Sequence, residues 1–467
     1  MARGGGAAAK IVRDAVHGDI ELDALEVECL ATAEMQRLRG VKQLGTASLV
    51  YPTAVHTRFE HSLGTNHVAK RILEGLSDAS GTRVGAAERR LVGLAALLHD
   101  VTHVPFGHTL EDERRVFPRH DDDPERLDVF LEGGRLGAIL RREGLVRDVR
   151  RVLSSPPESL DRPFVGQVVR DTICADLLDY LRRDAFFCGF SQHYDPRLYR
   201  YLRVKDGRLH FEVMKEGRLR PDALTEVVNL LRLRYMLSER VYYHHSKIAA
   251  GAMISRAVEH AVAHGFRKRD LYSLRDDSLL YVLRERFGAI PDVASLLEKL
   301  ERRSIHRAAF VLTPAIGLDA QSDLVARYHR NESGERERTE REIAGALRVP
   351  SSAVIVYCPS PSMALKEADV WVHVDPEAPR SLAEMRNPEV EFLKEKHRAL
   401  WRFYVLLDRE LSPRQFARAA AAAAEILGVR SDRGAGAPSS TRPASAPASR
   451  RRRDSSRPVK SPRARGR

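Results

Sequence analysis

The chain has few cysteines, no long apolar run and, outside its last stretch, almost no excess of either charge. Cys29, Cys174, Cys188 and Cys358 are scattered over 467 residues and form no CxxC pair. That argues against a disulfide scaffold or a thiolate metal ribbon, and fits reduced thiols in a cytoplasmic protein. No run of eighteen or more apolar residues is present, so no membrane span is expected. Met1 to Lys10 is Gly/Ala-rich but too short in its apolar part to read as a secretory signal. The net charge of +13 is concentrated at one end. Residues 430–467 hold twelve Lys/Arg against Asp432 and Asp454, which leaves only +3 to the preceding 429 residues. This Pro-, Ser-, Ala- and Arg-rich tail reads as disordered. Its Arg450–Arg453 run suits nucleic acid or another polyanion, and reads equally well as a solvated extension.

What is present is a globular chain, 43% hydrophobic and longer than a usual single domain. Ile11 to Leu25 suggests a short hairpin with a turn at His17–Gly18. Helical periodicity then dominates. Phe59, Leu63, Val68, Ile72 and Leu76 line a helix that starts near Arg58, and Leu91, Leu94, Ala95 and Leu98 line a second. A third helix is expected from about Val165 to Phe187 and a fourth from about Pro221 to His264. Between those two, Asp206–Gly207 within Arg203–Phe211 marks a hairpin. Ser352–Cys358 and Asp369–Val374 read as strands, and Ser412–Pro413 starts a last helix ending near Gly428. The expected fold is mainly α. A helical core with small β-hairpins covers 11–265, a smaller mixed α/β lobe covers 266–428, and a flexible start (1–10) and a basic tail (429–467) flank them.

Two segments carry the chemistry: RFEHSLG (Arg58–Gly64) and LLHDVTHVPFGH (Leu97–His108). His99 and Asp100 set a nitrogen and an oxygen ligand side by side at the end of an apolar helix, and His61 adds a second imidazole. Such donors suit Mg, Mn, Fe, Zn or Ni and a metal-assisted hydrolysis. Asp176 is an odd acid in an apolar helical stretch. Asp176, Tyr180, Arg183 and Asp184 fall on one helical face, a stripe that suits a nucleotide and reads alternatively as a surface face with intrahelical ion pairs. His56 and His67 are expected to hydrogen-bond within the fold, His244 and His245 to pack or edge a pocket, and Trp371 and Trp401 to anchor the C-terminal lobe.

These motifs, with DAVHGDIEL (Asp14–Leu22), QRLRGVKQLG (Gln36–Gly45) and RLRYMLSERVYYHHSK (Arg232–Lys247) in matching order, resemble the HD-domain phosphohydrolase superfamily. The resemblance is closer still to its deoxynucleoside-triphosphate triphosphohydrolases, and it covers about the first 260 residues. It implies His61, His99, Asp100 and Asp176 as ligands of a divalent metal. It further implies His120 as general acid to the leaving 5′ oxygen, His108 as its support, His103 as a phosphate contact, and Glu111 where the family carries an Asp beside the catalytic histidine. Arg58 and Arg234 would neutralise triphosphate oxygens, Gln43 and Leu44 would meet sugar and base, and Tyr180, Asp184 and Tyr242 would surround the sugar. Lys10, Gln36 and Arg39 resemble an effector pocket for a nucleotide. Leu177, Tyr243 and Ala31 stand where relatives have a triphosphate-holding Lys, a Gln near the base and a guanine-reading Asp. The implied partners are deoxynucleoside triphosphates, a nucleotide effector and further copies of the chain in a dimer or tetramer. Two other readings stay open: an HD phosphodiesterase or nucleotidase acting on another phosphoester, and a nucleic-acid-binding regulator that uses the core as a scaffold.

Overall fold

The computed structural model describes residues 10–79, 82–331, 333–360, 363, 365–374 and 379–432. The expected basic tail beyond 432, and all but the last residue of the expected flexible start, lie outside the described residues. Among the described residues helices dominate, with four small sheets. β1 (Lys10–Asp14) and β2 (Gly18–Leu22) form the first hairpin, in which Asp14 Oδ1 accepts from the backbone N–H groups of Val16 and His17 and closes the turn.

α1 (Arg58–Ala79) and α2 (Ala86–Leu98) pack against each other as the two long rods of the core. The Glu60 carboxylate accepts from the Thr57 N–H and hydroxyl, which fixes the start of α1 and places His61 in its first turn. The apolar residues of α1 serve two cores. Phe59 and Leu63 pack with Leu94, Leu97 and Leu98, whereas Val68, Ile72 and Leu76 pack with the later helices.

The expected third helix is two helices: α3 (Pro163–Val169) and α4 (Ala175–Phe187). Arg170 and Cys174 are extended between them. Asp171 accepts from the Thr172 N–H and the Gln167 amide, a local alternative to the helical ladder, and the β-branched Val168, Val169 and Ile173 add little helix preference. The break puts Asp176 in the first turn of α4.

The fourth is likewise divided. α5 (Pro221–Leu237) passes into a wide π turn over Ser238–Tyr242, and α6 (His245–Ala263) restarts after an extended His244 whose Nδ1 accepts from the Ser246 N–H. That detour turns the Tyr242 hydroxyl back toward α4.

β3 (Leu202–Lys205) and β4 (Arg208–Glu212) form the second expected hairpin, with Asp206 and Gly207 both at positive φ as a two-residue primed turn requires. Beyond it lie β5 (Arg307–Leu312), α7 (Glu335–Leu347), β6 (Val354–Tyr357), β7 (Trp371–His373), β8 (Arg380–Ser381), β9 (Phe403–Leu407) and α8 (Pro413–Leu427). One sheet has the order β5-β9-β6, in which β5 and β9 are additional to the strands expected from sequence. The other, β8-β7-β4-β3, joins strands from either side of residue 265, with β7 parallel to β4. α8 has the expected Ser412 cap and ends at a left-handed Gly428. Trp401 is 2% exposed and serves as a core anchor, but Trp371 is 43% exposed and does not. All four cysteines are buried free thiols. No helix among the described residues is long and apolar enough to cross a membrane.

Candidate active site

His61 from α1, His99 from the C-terminal cap of α2, and Asp176 from α4 converge. His61 Nε2 lies 2.9 Å from Asp176 Oδ1 and 3.1 Å from His99 Nε2, which is 3.6 Å from the same carboxylate oxygen. Asp100 closes the ring, with Oδ1 3.5 Å from His99 Nε2 and Oδ2 3.7 Å from His61 Nε2.

The other nitrogen of each imidazole faces an acceptor: His61 Nδ1 meets Asp179 Oδ2 at 2.7 Å and His99 Nδ1 meets the Ala96 carbonyl at 2.8 Å. With Nδ1 as the donor in each ring, both Nε2 atoms are lone pairs aimed at each other and at two carboxylates. That juxtaposition is repulsive unless a cation sits among them, so the residues present fit a divalent metal bound by two imidazoles and two carboxylates. Burial disfavours a charged His61, yet hydrogen bonds to Asp176 and Asp179 outweigh it and lift the imidazole to about 10, so the surroundings favour positive charge at this point, whether a proton on Nε2 or a metal ion.

Asp179 was not anticipated from the sequence. It is fully buried and accepts from His61, from His17 Nε2 at 2.6 Å, and from Arg183 through Nε at 2.8 Å and Nη2 at 3.0 Å. Arg183 continues to Asp14, at 2.8 and 3.3 Å. The reading of Arg183 as part of a nucleotide-facing stripe is therefore corrected. It is 0% exposed and holds Asp179 and Asp14 in place, because the i, i+4 partner Asp179 draws it inward. The available signals were the acid pair Asp176/Asp179 and the His17 of the DAVHG segment. Gly64 of RFEHSLG sits against this clamp, and a Cβ there would fall 1.9 Å from Asp179 Oδ1.

A second cluster abuts the first through Asp100, whose Oδ1 lies 3.0 Å from His103 Nε2. The His103 ring is 3.9 Å from that of His120 and 4.8 Å from that of His108. Glu111 Oε2 accepts from His108 Nδ1 at 3.0 Å and His120 Nδ1 at 3.2 Å, while Oε1 is held by Arg126 Nη1 at 2.7 Å and the His120 N–H at 3.1 Å. Burial would raise the Glu111 carboxyl, but its bonds to His108 and His120 hold it well below the usual range. His103 uses Nε2 on Asp100, so as placed it braces a candidate ligand. The connecting loop is fixed by strain offset elsewhere. Phe106 and Gly107 both have positive φ, and the buried Asp276 accepts from the Phe106 N–H at 2.7 Å.

Arg58 donates to Asp100 Oδ2 at 2.7 Å, and its buried Nε is without a partner, as are Gln43 Oε1 and His103 Nδ1. Two turns along α4 from Asp176, Asp184 accepts from Tyr242 Oη at 2.6 Å and His56 Nε2 at 2.8 Å. The Arg234 guanidinium lies 5.4 and 5.0 Å from the Tyr180 and Tyr242 ring centroids and bonds Glu367 at 2.9 Å. Arg234 thus meets a carboxylate from beyond residue 265. Leu44 is buried in the apolar core. Asp176 and His108, with side chains 38% and 37% exposed, mark where solvent reaches the two clusters.

Of the expected effector residues, Arg39 Nε donates to Gln36 Oε1 at 2.9 Å and its guanidinium covers the Phe59 ring, while Lys10 is exposed at the start of β1. The His67 ring packs at a tilt against His17, 5.1 Å between centroids, and His244 stacks on His245.

Comparison with known proteins agrees with this geometry. The pattern of the HD domain matches residues 58–184, and that of the HD associated region matches residues 197–436. An uncharacterized protein of Methanocaldococcus jannaschii is 31% identical over 308 residues, 64% of this chain and 59% of that one. A protein of Dictyostelium discoideum named deoxynucleoside triphosphate triphosphohydrolase SAMHD1 homolog is 27% identical over 281 residues, 58% of this chain and 51% of that one. The matched region thus spans between half and three fifths of these relatives' length. Among solved structures, a phosphohydrolase from Bacteroides thetaiotaomicron superposes with a TM-score of 0.64 at 22% identity, covering 86% of this chain and 100% of its own. A hypothetical protein from Aquifex aeolicus superposes at 0.65 and 24%, covering 88% and 99%. Both likenesses concern the fold. The chain belongs to the HD-domain phosphohydrolase family, with an HD domain followed by an HD-associated region.

Proposed function

We propose that the chain is a metal-dependent dNTP triphosphohydrolase, which cleaves a deoxynucleoside triphosphate to the deoxynucleoside and inorganic triphosphate. The observation that carries the reading is the continuity along α4. Asp176 belongs to the metal-fitting cluster, and Tyr180 and Asp184, one and two turns on, form with Tyr242 and Arg234 a polar aromatic group with the hydrogen-bonding and stacking chemistry that a sugar and base require. The relatives named as dNTP triphosphohydrolases support the same substrate class.

His61, His99, Asp100 and Asp176 would hold a divalent metal. Such an ion supplies Lewis-acid polarisation of a phosphoryl oxygen and a more acidic water. In the reaction, a water oxygen bonds to the α-phosphorus, the Pα–O5′ bond breaks, and the leaving 5′ oxygen takes a proton. His120 is the donor assigned here. Its Nδ1 is tied to Glu111, so Nε2 is the atom that can deliver the proton, and Glu111 stabilises the charged imidazole before transfer. His108 shares the same carboxylate and keeps it oriented. The unpartnered Arg58 Nε is a donor available to a phosphate oxygen, a contact suited to the planar guanidinium. Gln43, close to His56 through its backbone, offers its amide to the sugar or base. A nucleotide effector at Lys10, Gln36 and Arg39, and assembly into a dimer or tetramer, belong to the same proposal.

The test is incubation with each dNTP and Mg or Mn, alone and with pooled nucleotides, followed by chromatographic separation of products. Deoxynucleoside and triphosphate should appear, and should vanish in a His99→Ala/Asp100→Ala variant. Monophosphate plus pyrophosphate, or turnover only of another phosphoester, would refute the substrate assignment.

A further inference from the structure

Away from the HD cluster, β4 and β7 bring a second set of metal-type donors together. His210 and Glu212 stand two residues apart on β4, hence on one face of the sheet, and His373 on β7 is the direct register partner of Glu212. His373 Nδ1 is 2.7 Å from Glu212 Oε2, the two imidazoles meet edge to face at 5.7 Å, and one ligand atom from each of the three residues lies within 4.8 Å of the others. His210 is 5% exposed. Buried His210 Nδ1 has no hydrogen-bond partner, an expensive arrangement for a polar atom at a sheet junction; on His373 it is Nδ1 that faces Glu212, and the unpartnered Nε2 lies on the far side of the ring. Tetrahedral ligands about 2.0 Å from a zinc ion stand roughly 3.3 Å apart, so a small closing of His210 onto the Glu212–His373 pair would complete three positions.

We propose that His210, Glu212 and His373 form a second divalent-metal site, of the zinc class, that ties the C-terminal region to the core sheet. Two imidazoles and one carboxylate select a borderline ion over Mg or Ca, and the fourth position is left to water. The location suits a staple. The β4–β7 pairing is short and parallel, and it links a hairpin near the start of the HD-associated region to a strand that lies some 160 residues later in the chain. Metal bound across it would stabilise that link without touching the HD cluster.

The test uses the full chain carrying His99→Ala and Asp100→Ala, which removes two ligands of the first centre. After zinc loading and desalting, elemental analysis should find about one zinc per chain, lost when His210→Ala or His373→Ala is added. Zinc should also raise the thermal midpoint of the background and not that of the added variants. Where an alanine variant fails to fold by circular dichroism, the near-isosteric Glu212→Gln carries the test, with zinc binding weakened at least about tenfold. Zinc content and thermal shift that are unchanged by these substitutions, or absent from the background, would overturn the site.

Discussion

Asp179 shows how much of a candidate metal site lies behind the residues that would hold the ion. It touches no metal-facing nitrogen, yet it sets the His61 tautomer and is itself fixed by His17 and Arg183. Asp179→Asn keeps the shape but removes the charge that orients His61. The expected result is metal affinity about 10–100-fold weaker by calorimetric titration, with the fold retained. Unchanged affinity would mean that His61 is positioned by packing alone. Asp179→Ala is a harsher change. It leaves Arg183 buried against Asp14 alone, a loss of about 3–5 kcal/mol in denaturant unfolding. The residues legible in the sequence were those with a distinctive type at a distinctive place, such as His99–Asp100 at a helix end. Asp179 was not, because an acid in an amphipathic helix looks like any surface acid until a partner from a distant strand turn is known.

At the scale of elements, hairpins and caps were readable because each rests on local chemistry: Asp206–Gly207 for one turn, Ser412–Pro413 for the start of α8. The breaks within 163–187 and 221–263 were not, because apolar periodicity runs through them and the interruptions answer to tertiary demands. One break sets Asp176 at a helix start; the other turns Tyr242 toward Asp184. The approach of α1 to α4 is similarly demanding. At Gly64 an added methyl would also lie 2.3 Å from Arg183 Nη2, and both neighbours are locked. Gly64→Ala should lower stability by about 1–3 kcal/mol and release bound metal, measured by unfolding and metal content. A variant as stable as the parent would show that the clamp yields.

A second element-level link joins α6 to α7. Glu259 accepts from Arg114 at 2.8 Å through both oxygens, from Arg336 at 2.9 Å and from Arg256 at 3.1 Å. Burial opposes its ionisation, but Arg114 foremost, with Arg336 and Arg256, holds the carboxyl down at about 2 against 4.5 unpaired. A depressed carboxylate contributes stability that is fully present above about pH 4.5 and is lost as pH falls toward 2, on the order of 3 kcal/mol. Glu259→Gln should therefore flatten stability between those values relative to the parent. An identical acid limb in both proteins would contradict the assignment.

On the scale of the whole molecule, the mainly helical class and the HD cluster followed from spacing and motif, and strands β6 and β7 from short apolar runs. The way β7 closes on β4, and Glu367 on Arg234, did not follow, since no local signal specifies a parallel pairing across so much intervening chain. The polar aromatic group beside the candidate metal site thus draws on both halves of the sequence, and the proposed cleavage at the α-phosphorus would depend on how they meet. Hydrolysis of a dNTP in water enriched in oxygen-18, with mass analysis of both products, tests that claim most directly. Attack at the α-phosphorus places the label in the inorganic triphosphate and leaves the deoxynucleoside unlabelled. Label in the deoxynucleoside, or in a monophosphate released with pyrophosphate, would contradict it.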